Sequence, residues 1–315
     1  MKKEVVTLAG LLILSACGGN PAPSTPSTLG KVDSIANKVP ADMKTLGTLQ
    51  IASDATYEPN EFVDPSSGAI TGWDVDFGLN VCKVMGVQCQ FQNVSFDTII
   101  AQLKATSPRY QFSISSWSPT QDRENGGIDF ISYYRAGESF IVKTSGGPSI
   151  NSTADLCGKN VAVEKGTTEE SDAWNYMGQD VGGAPLSGQT NRCKTAGKGD
   201  IKILSFEKQT EANSALLSGQ ADVGFLDQPV AAYQVKKSNG QFKVTGQPCS
   251  VSPYGIAIVK GSTLEPAMTD AVKYLIDNGF YKTTLDKWGV ADGAIKSSDV
   301  KLNDNNAVGA TCVPS

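Results

Sequence analysis

Short apolar runs alternate with amphipathic stretches along most of this chain. "TLQIASDATY" (48–57) reads as a strand running into a loop. In "GWDVDFGLNVCKVMG" (72–86), Val75, Leu79 and Cys82 fall at helical spacing and Gly86 supplies the stop. "CQFQNV" (89–94) is strand-like, and "SFDTIIAQLKA" (95–105) offers Ser95 as a helix cap with Ile99, Ile100 and Leu103 as the buried stripe. "QFSIS" (111–115) alternates polar and apolar residues as a half-buried strand does. The second half repeats the style without repeating the sequence. "KNVAVEKGTTEESDAW" (159–174) reads as strand, loop and helix, and "DIKILSF", "QTEANSALLSG", "ADVGFL" and "DQPVAAYQVKKS" (200–238) continue the alternation, with Asp227 placed to cap the last helix. "YGIAIV" (254–259) is a further strand, and Leu264, Met268, Val272 and Leu275 share one face of a long helix. Strands alternating with helices predict an α/β fold with a mainly parallel sheet. From about residue 291 the chain is polar and is expected to wrap the surface.

The chain has 315 residues, 40% hydrophobic and 19% charged, enough for two core-bearing lobes. A formal charge of -5 argues against nucleic acid, whose phosphates call for a basic face. The chain contains no histidine, which removes Ser-His-Asp and Cys-His catalysis, His-ligated zinc and the commonest neutral-pH base. Neither a GxxxxGK[ST] nor a GxGxxG phosphate loop occurs. No cofactor and no metal site is expected.

The N-terminus carries an address. "MKK" is a basic start and "VVTLAGLLIL" (5–14) an apolar segment shorter than the roughly 18 residues a membrane span needs. It ends in "LSAC" (14–17), which resembles the bacterial lipobox, so residues 1–16 are expected to be a signal peptide and Cys17 the lipidated first residue of the mature protein. Residues 17–43 would then be a flexible tether, beginning with "GGNPAPSTPSTLG". The other six cysteines form an even set, which in an exported chain reads as disulfides. Locality favours Cys82–Cys89, Cys157–Cys193 and Cys249–Cys312.

The strand "QFSIS" breaks into "SSWSPTQDR" (115–123), a cluster of hydroxyls with one tryptophan and one arginine. Together with "SDATYEPNEFVD", "GWDVDFGLNVCKVMG", "VSFDTIIAQLKA", "VAVEKGTTEESDA" and "GQADVGFLDQPVAAY", in this order over about residues 44–290, it resembles the polar amino-acid substrate-binding proteins of bacterial ABC importers. The resemblance implies two α/β lobes joined by two hinge strands, with the ligand in the cleft between them. It places lobe I at 44–136 and 247–290, lobe II at 137–246 and a C-terminal tail at 291–315. It further implies a monomeric lipoprotein on the outer face of the membrane that hands an amino acid to a permease. The alternatives are a dehydratase-like enzyme on the same scaffold and a sensory lobe; the enzyme needs a proton donor where Asp227 keeps the ammonium-binding pattern.

By position the resemblance makes Arg123 the bidentate fork for the ligand carboxylate, a geometry lysine does not copy. The other role open to Arg123 is a surface ion pair with Asp122 or Glu124. Ser116 and Ser118 would meet the ammonium and carboxylate, whereas Ser115 and Thr120 read as local turn hydroxyls. The loop holding Thr167 and Thr168 would complete the anion site from the opposite jaw. Asp227 would accept from the ammonium, and Tyr57 and Trp73 would sandwich the side chain. Trp73 could equally be core, and Trp117 could line the pocket or cover the hinge. Asp54 matches a position that contacts the ligand's distal group, and Glu164 lies one strand position outside the threonine loop. Two carboxylates facing one aromatic-walled pocket favour a basic amino acid. Neutralisation of Glu164 by Lys165 or Arg135, or an amide contact from Asn60, would instead suit glutamine or asparagine.

Overall fold

The computed structural model describes residues 28–313, so the signal peptide, Cys17 and the first part of the tether lie outside the described residues. The strands are β1 (Thr48–Ser53), β2 (Thr56–Tyr57), β3 (Glu61–Val63), β4 (Ile70–Thr71), β5 (Gln88–Asn93), β6 (Phe112–Trp117), β7 (Ile128–Lys143), β8 (Asn160–Glu164), β9 (Lys202–Phe206), β10 (Val223–Asp227) and β11 (Phe242–Val259). The helices are α1 (Asp33–Ala36), α2 (Ala41–Thr45), α3 (Trp73–Met85), α4 (Phe96–Leu103), α5 (Gln121–Asn125), α6 (Thr168–Tyr176), α7 (Arg192–Thr195), α8 (Gln209–Ser218), α9 (Gln228–Lys237), α10 (Glu265–Asp277) and α11 (Phe280–Trp288).

Eight strands form one continuous sheet in the order β5-β1-β6-β11-β7-β10-β8-β9. Both flanks are parallel, as strand–helix alternation requires, while the centre is antiparallel because β7 and β11 pair with each other and with their neighbours in that sense. These two long strands cross between two cores. Ile131, Tyr133 and Tyr134 of β7 belong to the first, whereas Phe140 and Val142 belong to the second. Where the strands pass between cores, the β7–β11 register slips between Thr245 and Cys249 and again between Cys249 and Ser252. A ladder interrupted at that point bends more easily than a continuous one. The molecule therefore has two α/β lobes and a two-stranded hinge.

In α3, Val75, Val81, Cys82 and Met85 face the first core, but Leu79 is 41% exposed and lies off the buried stripe. The helix stops where Gly86 takes φ 69°. In α10, Met268, Val272 and Leu275 are buried, matching the spacing in the sequence. The tether is shorter than the composition suggests: Ile35 and Val39 are buried in the first core, and Leu29, Val32 and Met43 pack against it. No helix among the described residues is long and apolar enough to cross a membrane.

Disulfides join Cys82 to Cys89, Cys157 to Cys193 and Cys249 to Cys312. The last one secures a tail that follows the hinge from one lobe to the other. Lys301 O accepts from Ser132 N at 2.9 Å, and Asn303 N donates to Phe130 O at 2.8 Å. Asp304 pairs with Arg135 at 3.1 Å, and Val308 N donates to Val251 O at 2.7 Å. Replacing Cys249 and Cys312 together by serine is expected to cost about 2 kcal/mol of stability, read as a lower urea midpoint than that of the oxidised wild type. An unchanged midpoint would mean that the tail is held by its backbone bonds alone.

Candidate ligand-binding site

The two lobes meet over a small cavity of about 20 Å³. Asp54, Tyr57, Glu61, Phe96, Ser115, Ser116, Ser118 and Arg123 line it from the first lobe, and Glu164, Thr167, Thr168, Glu169 and Asp227 from the second. The jaws are closed. Arg123 Nη2 donates to Gly166 O at 2.9 Å, Asp227 N donates to Tyr57 Oη at 3.0 Å, and Gln209 N donates to Thr56 Oγ1 at 3.1 Å, all from lobe to lobe. Lys165–Asp97 and Lys237–Glu58 ion pairs close the rim.

Arg123 sits in α5, a short helix whose first turn is capped by Thr120: the hydroxyl accepts from Arg123 N at 3.3 Å. The guanidinium donates to Ser118 O at 2.7 Å and lies 4.9 Å from the Trp117 ring centroid and 5.6 Å from that of Phe96. Two of its five N–H groups serve carbonyls, so three remain for an anion. Burial lowers its pKa to about 10, which leaves it charged at neutral pH. No ion pair with Asp122 or Glu124 forms among the described residues, and Asp122 is exposed.

The opposite jaw is the β8–α6 turn. Thr167 caps α6, accepting from Glu170 N at 3.3 Å, and donates to Glu164 O at 2.7 Å, so its hydroxyl is spent on the turn. Thr168, the first helical residue, lines the cavity beside it.

The distal end is acidic. Asp54 accepts from Thr56 Oγ1 at 2.7 Å and from Phe96 N at 2.9 Å. It thereby caps α4, the role the sequence suggests for Ser95, whose side chain makes no capping bond. Thr56 Oγ1 is also 3.3 Å from Glu164 Oε1, yet it has one proton for two carboxylates. Glu164 is 2% exposed and has no ion-pair partner among the described residues. Lys165 pairs with Asp97 and Glu207, and Arg135 with Asp304, so neither neutralises it. Burial pushes the Glu164 carboxyl well above the usual range, with Asp54's charge adding to it, and burial likewise raises Glu61, Glu169 and Asp54. Asp227, at the start of α9, makes no side-chain capping bond and is pushed up to about 7, chiefly by burial.

Two aromatic assignments need correction. Trp73 does not wall the cavity. It is fully buried, donates to Asn60 Oδ1 at 2.7 Å and packs against Tyr133, Tyr134 and Tyr254 of the hinge strands. Trp117 is 1% exposed, donates to Ser113 Oγ at 2.8 Å and stacks behind Phe96 with centroids 4.0 Å apart. Phe96 is therefore the ring of this stack that lines the cavity, as Tyr57 also does. Ser115 also lines the cavity, donating to Glu61 Oε1 at 2.8 Å, so it is more than a turn hydroxyl. Asn60 is fully buried and offers nothing to a ligand. Sequence reasoning missed Glu61, Phe96 and Glu169. A usable signal existed only for Glu169, which directly follows the two threonines of the loop.

Two α/β lobes over a cavity with one guanidinium and several carboxyls define a solute receptor with its cleft between the lobes. The chain belongs to the bacterial extracellular solute-binding proteins, family 3, which it matches over residues 49–291. It is 31% identical to the arginine-binding protein of Corynebacterium glutamicum, covering 84% of this chain and 81% of that protein. It is 28% identical to the glutamine-binding protein of a Bacillus subtilis (strain 168) ABC transporter, covering 92% and 97%. Among solved structures, an ancestral arginine-binding protein bound to arginine superposes with a TM-score of 0.66 at 31% identity, covering 77% of this chain and 98% of that one.

Proposed function

We propose that this protein captures a basic amino acid, arginine foremost, and delivers it to the permease of an ABC importer without chemical change. The observation that carries the reading is the charge of the cavity: Asp54, Glu61, Glu164, Glu169 and Asp227 face a single cation, Arg123. A zwitterion with a neutral side chain brings one ammonium and one carboxylate, which gives the distal carboxyls no cation to ionise against. A second cation on the ligand supplies one and favours their ionised form. In this reading Arg123 takes the α-carboxylate, helped by Ser118 and Thr168. Asp227, beside Glu169 and Ser116, takes the α-ammonium. The aliphatic stem runs between Tyr57 and Phe96, and the distal cation reaches Asp54 and Glu164. The same reading has the protein exported by residues 1–16 and held at the outer face of the membrane by a lipid on Cys17.

Calorimetric titration of arginine, lysine, ornithine and glutamine against wild type and Glu164→Gln tests it. Arginine should bind wild type tightest, and the variant should lose arginine affinity by about tenfold, the worth of one charge-assisted hydrogen bond, while losing none for glutamine. If glutamine binds wild type more tightly than any of the three bases, the charge argument is wrong.

A further inference from the structure

Ser116 lines the cavity with φ 52°, a left-handed conformation that costs a residue with a Cβ and needs support from its surroundings. The support is one carboxylate oxygen. Asp74 Oδ2 accepts from Ser116 N at 3.1 Å, from Ser116 Oγ at 3.2 Å and from Tyr133 Oη at 2.8 Å. Asn60 Nδ2 completes the arrangement by donating to Ser116 Oγ at 2.8 Å. Asp74 stands in the first turn of α3, and that turn is fixed to the segment before it: Trp73 N donates to Pro59 O and Asp74 N to Asn60 O. The approach is so close that a Cβ on Gly72, where φ is 138°, would lie 2.0 Å from Asn60 O. The other Asp74 oxygen and Glu61 Oε2 are both buried without a hydrogen-bond partner. Glu61 in turn accepts from Ser115 Oγ at 2.8 Å. Asp74 thus holds Ser116 by both its N–H and its hydroxyl, although it does not line the cavity itself.

We propose that Asp74 is a positioning residue for amino-acid capture, acting by holding Ser116 in its left-handed conformation at the cleft. The proposal rests on the reading of this cleft as a basic amino-acid site. Glycine adopts positive φ unaided, which separates positioning from general packing. Arginine is titrated by calorimetry into wild type, Asp74→Ala, Ser116→Gly and the double variant, with thermal unfolding recorded for each. Asp74→Ala should weaken binding at least about tenfold. In the Ser116→Gly background the same change should cost less than about threefold, because the backbone no longer needs the carboxylate. Equal losses in both backgrounds would overturn the proposal. Should Asp74→Ala fold poorly, Asp74→Asn carries the test: its carbonyl oxygen can still accept from Ser116 and Tyr133, so it should recover most of the affinity, and a full loss would refute positioning. A crystal structure of an Asp74 variant without that acceptor, Asp74→Ala or Asp74→Leu, should show residue 116 leaving the positive-φ region; retention of φ near its present value would also refute it. If wild type binds no amino acid while residue 116 relaxes in that structure, the functional reading fails and the backbone role of Asp74 stands.

Discussion

Arg123→Ala is expected to abolish useful amino-acid binding while leaving the fold intact. The guanidinium lies beside the stacked rings of Trp117 and Phe96 and reaches Gly166 of the opposite lobe, so in the proposed reading it serves both as an anion site and as a latch. Without it the ligand carboxylate would be buried with no cation. Leaving such a charge unpaired costs about 2–5 kcal/mol, on the order of 30- to 5000-fold in Kd. Arg123→Lys should also fail, because an ammonium cannot offer the planar fork and stacks poorly on the two rings. Calorimetry on the alanine variant, with circular dichroism as the check on folding, gives the answer. Affinity close to wild type would remove Arg123 from the site.

Arginine binding is also expected to weaken as the solution is acidified. Burial pushes Asp227 up to about 7 and holds Glu164, Glu169 and Glu61 well above ordinary carboxyls. An ammonium or guanidinium favours the ionised carboxylate, so binding must displace a proton from any group still protonated. Below pH about 7 a single such group makes affinity fall by about tenfold per pH unit, or on the order of 100-fold between pH 7 and pH 5. The stability of the ligand-free protein has the opposite sign. A carboxyl whose folded pKa is raised contributes stability that is fully present below its unfolded value near 4 and is lost as pH rises through the folded value. The ligand-free protein should therefore lose stability from about pH 5 to above 7, and the gain in Tm on adding arginine should grow over the same range. Titrations at pH 5, 6, 7 and 8 would show it; a flat Kd across them would mean that these carboxyls are already ionised in the ligand-free state.

How far the sequence revealed this site depended on how local each signal was. Arg123 and its serines lie within nine residues, "SSWSPTQDR", and the turn chemistry that positions them is written in the same stretch. The Thr167 cap and the strand before it are equally local. Trp73 misleads because its burial is decided by Tyr133, Tyr134 and Tyr254, which come from hinge strands far along the chain. Phe96 stays hidden for the converse reason: it opens α4 like an ordinary core residue, and its place in the cavity wall, stacked on Trp117, is set by a strand well along the chain. The α/β architecture was legible from alternating strands and helices, and the division into two lobes from the family resemblance. The antiparallel centre of the sheet was not, since it arises from the pairing of β7 and β11 with each other and with β10 and β6.

The tail gives the hinge a property that two strands alone lack. With β7 and β11 as the sole connections, one lobe can both bend toward the other and twist about the strand axis. The segment from Lys301 to Cys312 adds a third crossing, hydrogen-bonded along its length and joined by a disulfide to Cys249. Three crossings resist torsion far better than two, and they leave bending as the soft direction. If the protein works by cleft closure, as proposed, opening and closing would be a motion with essentially one degree of freedom that returns Arg123 to the same place opposite Gly166.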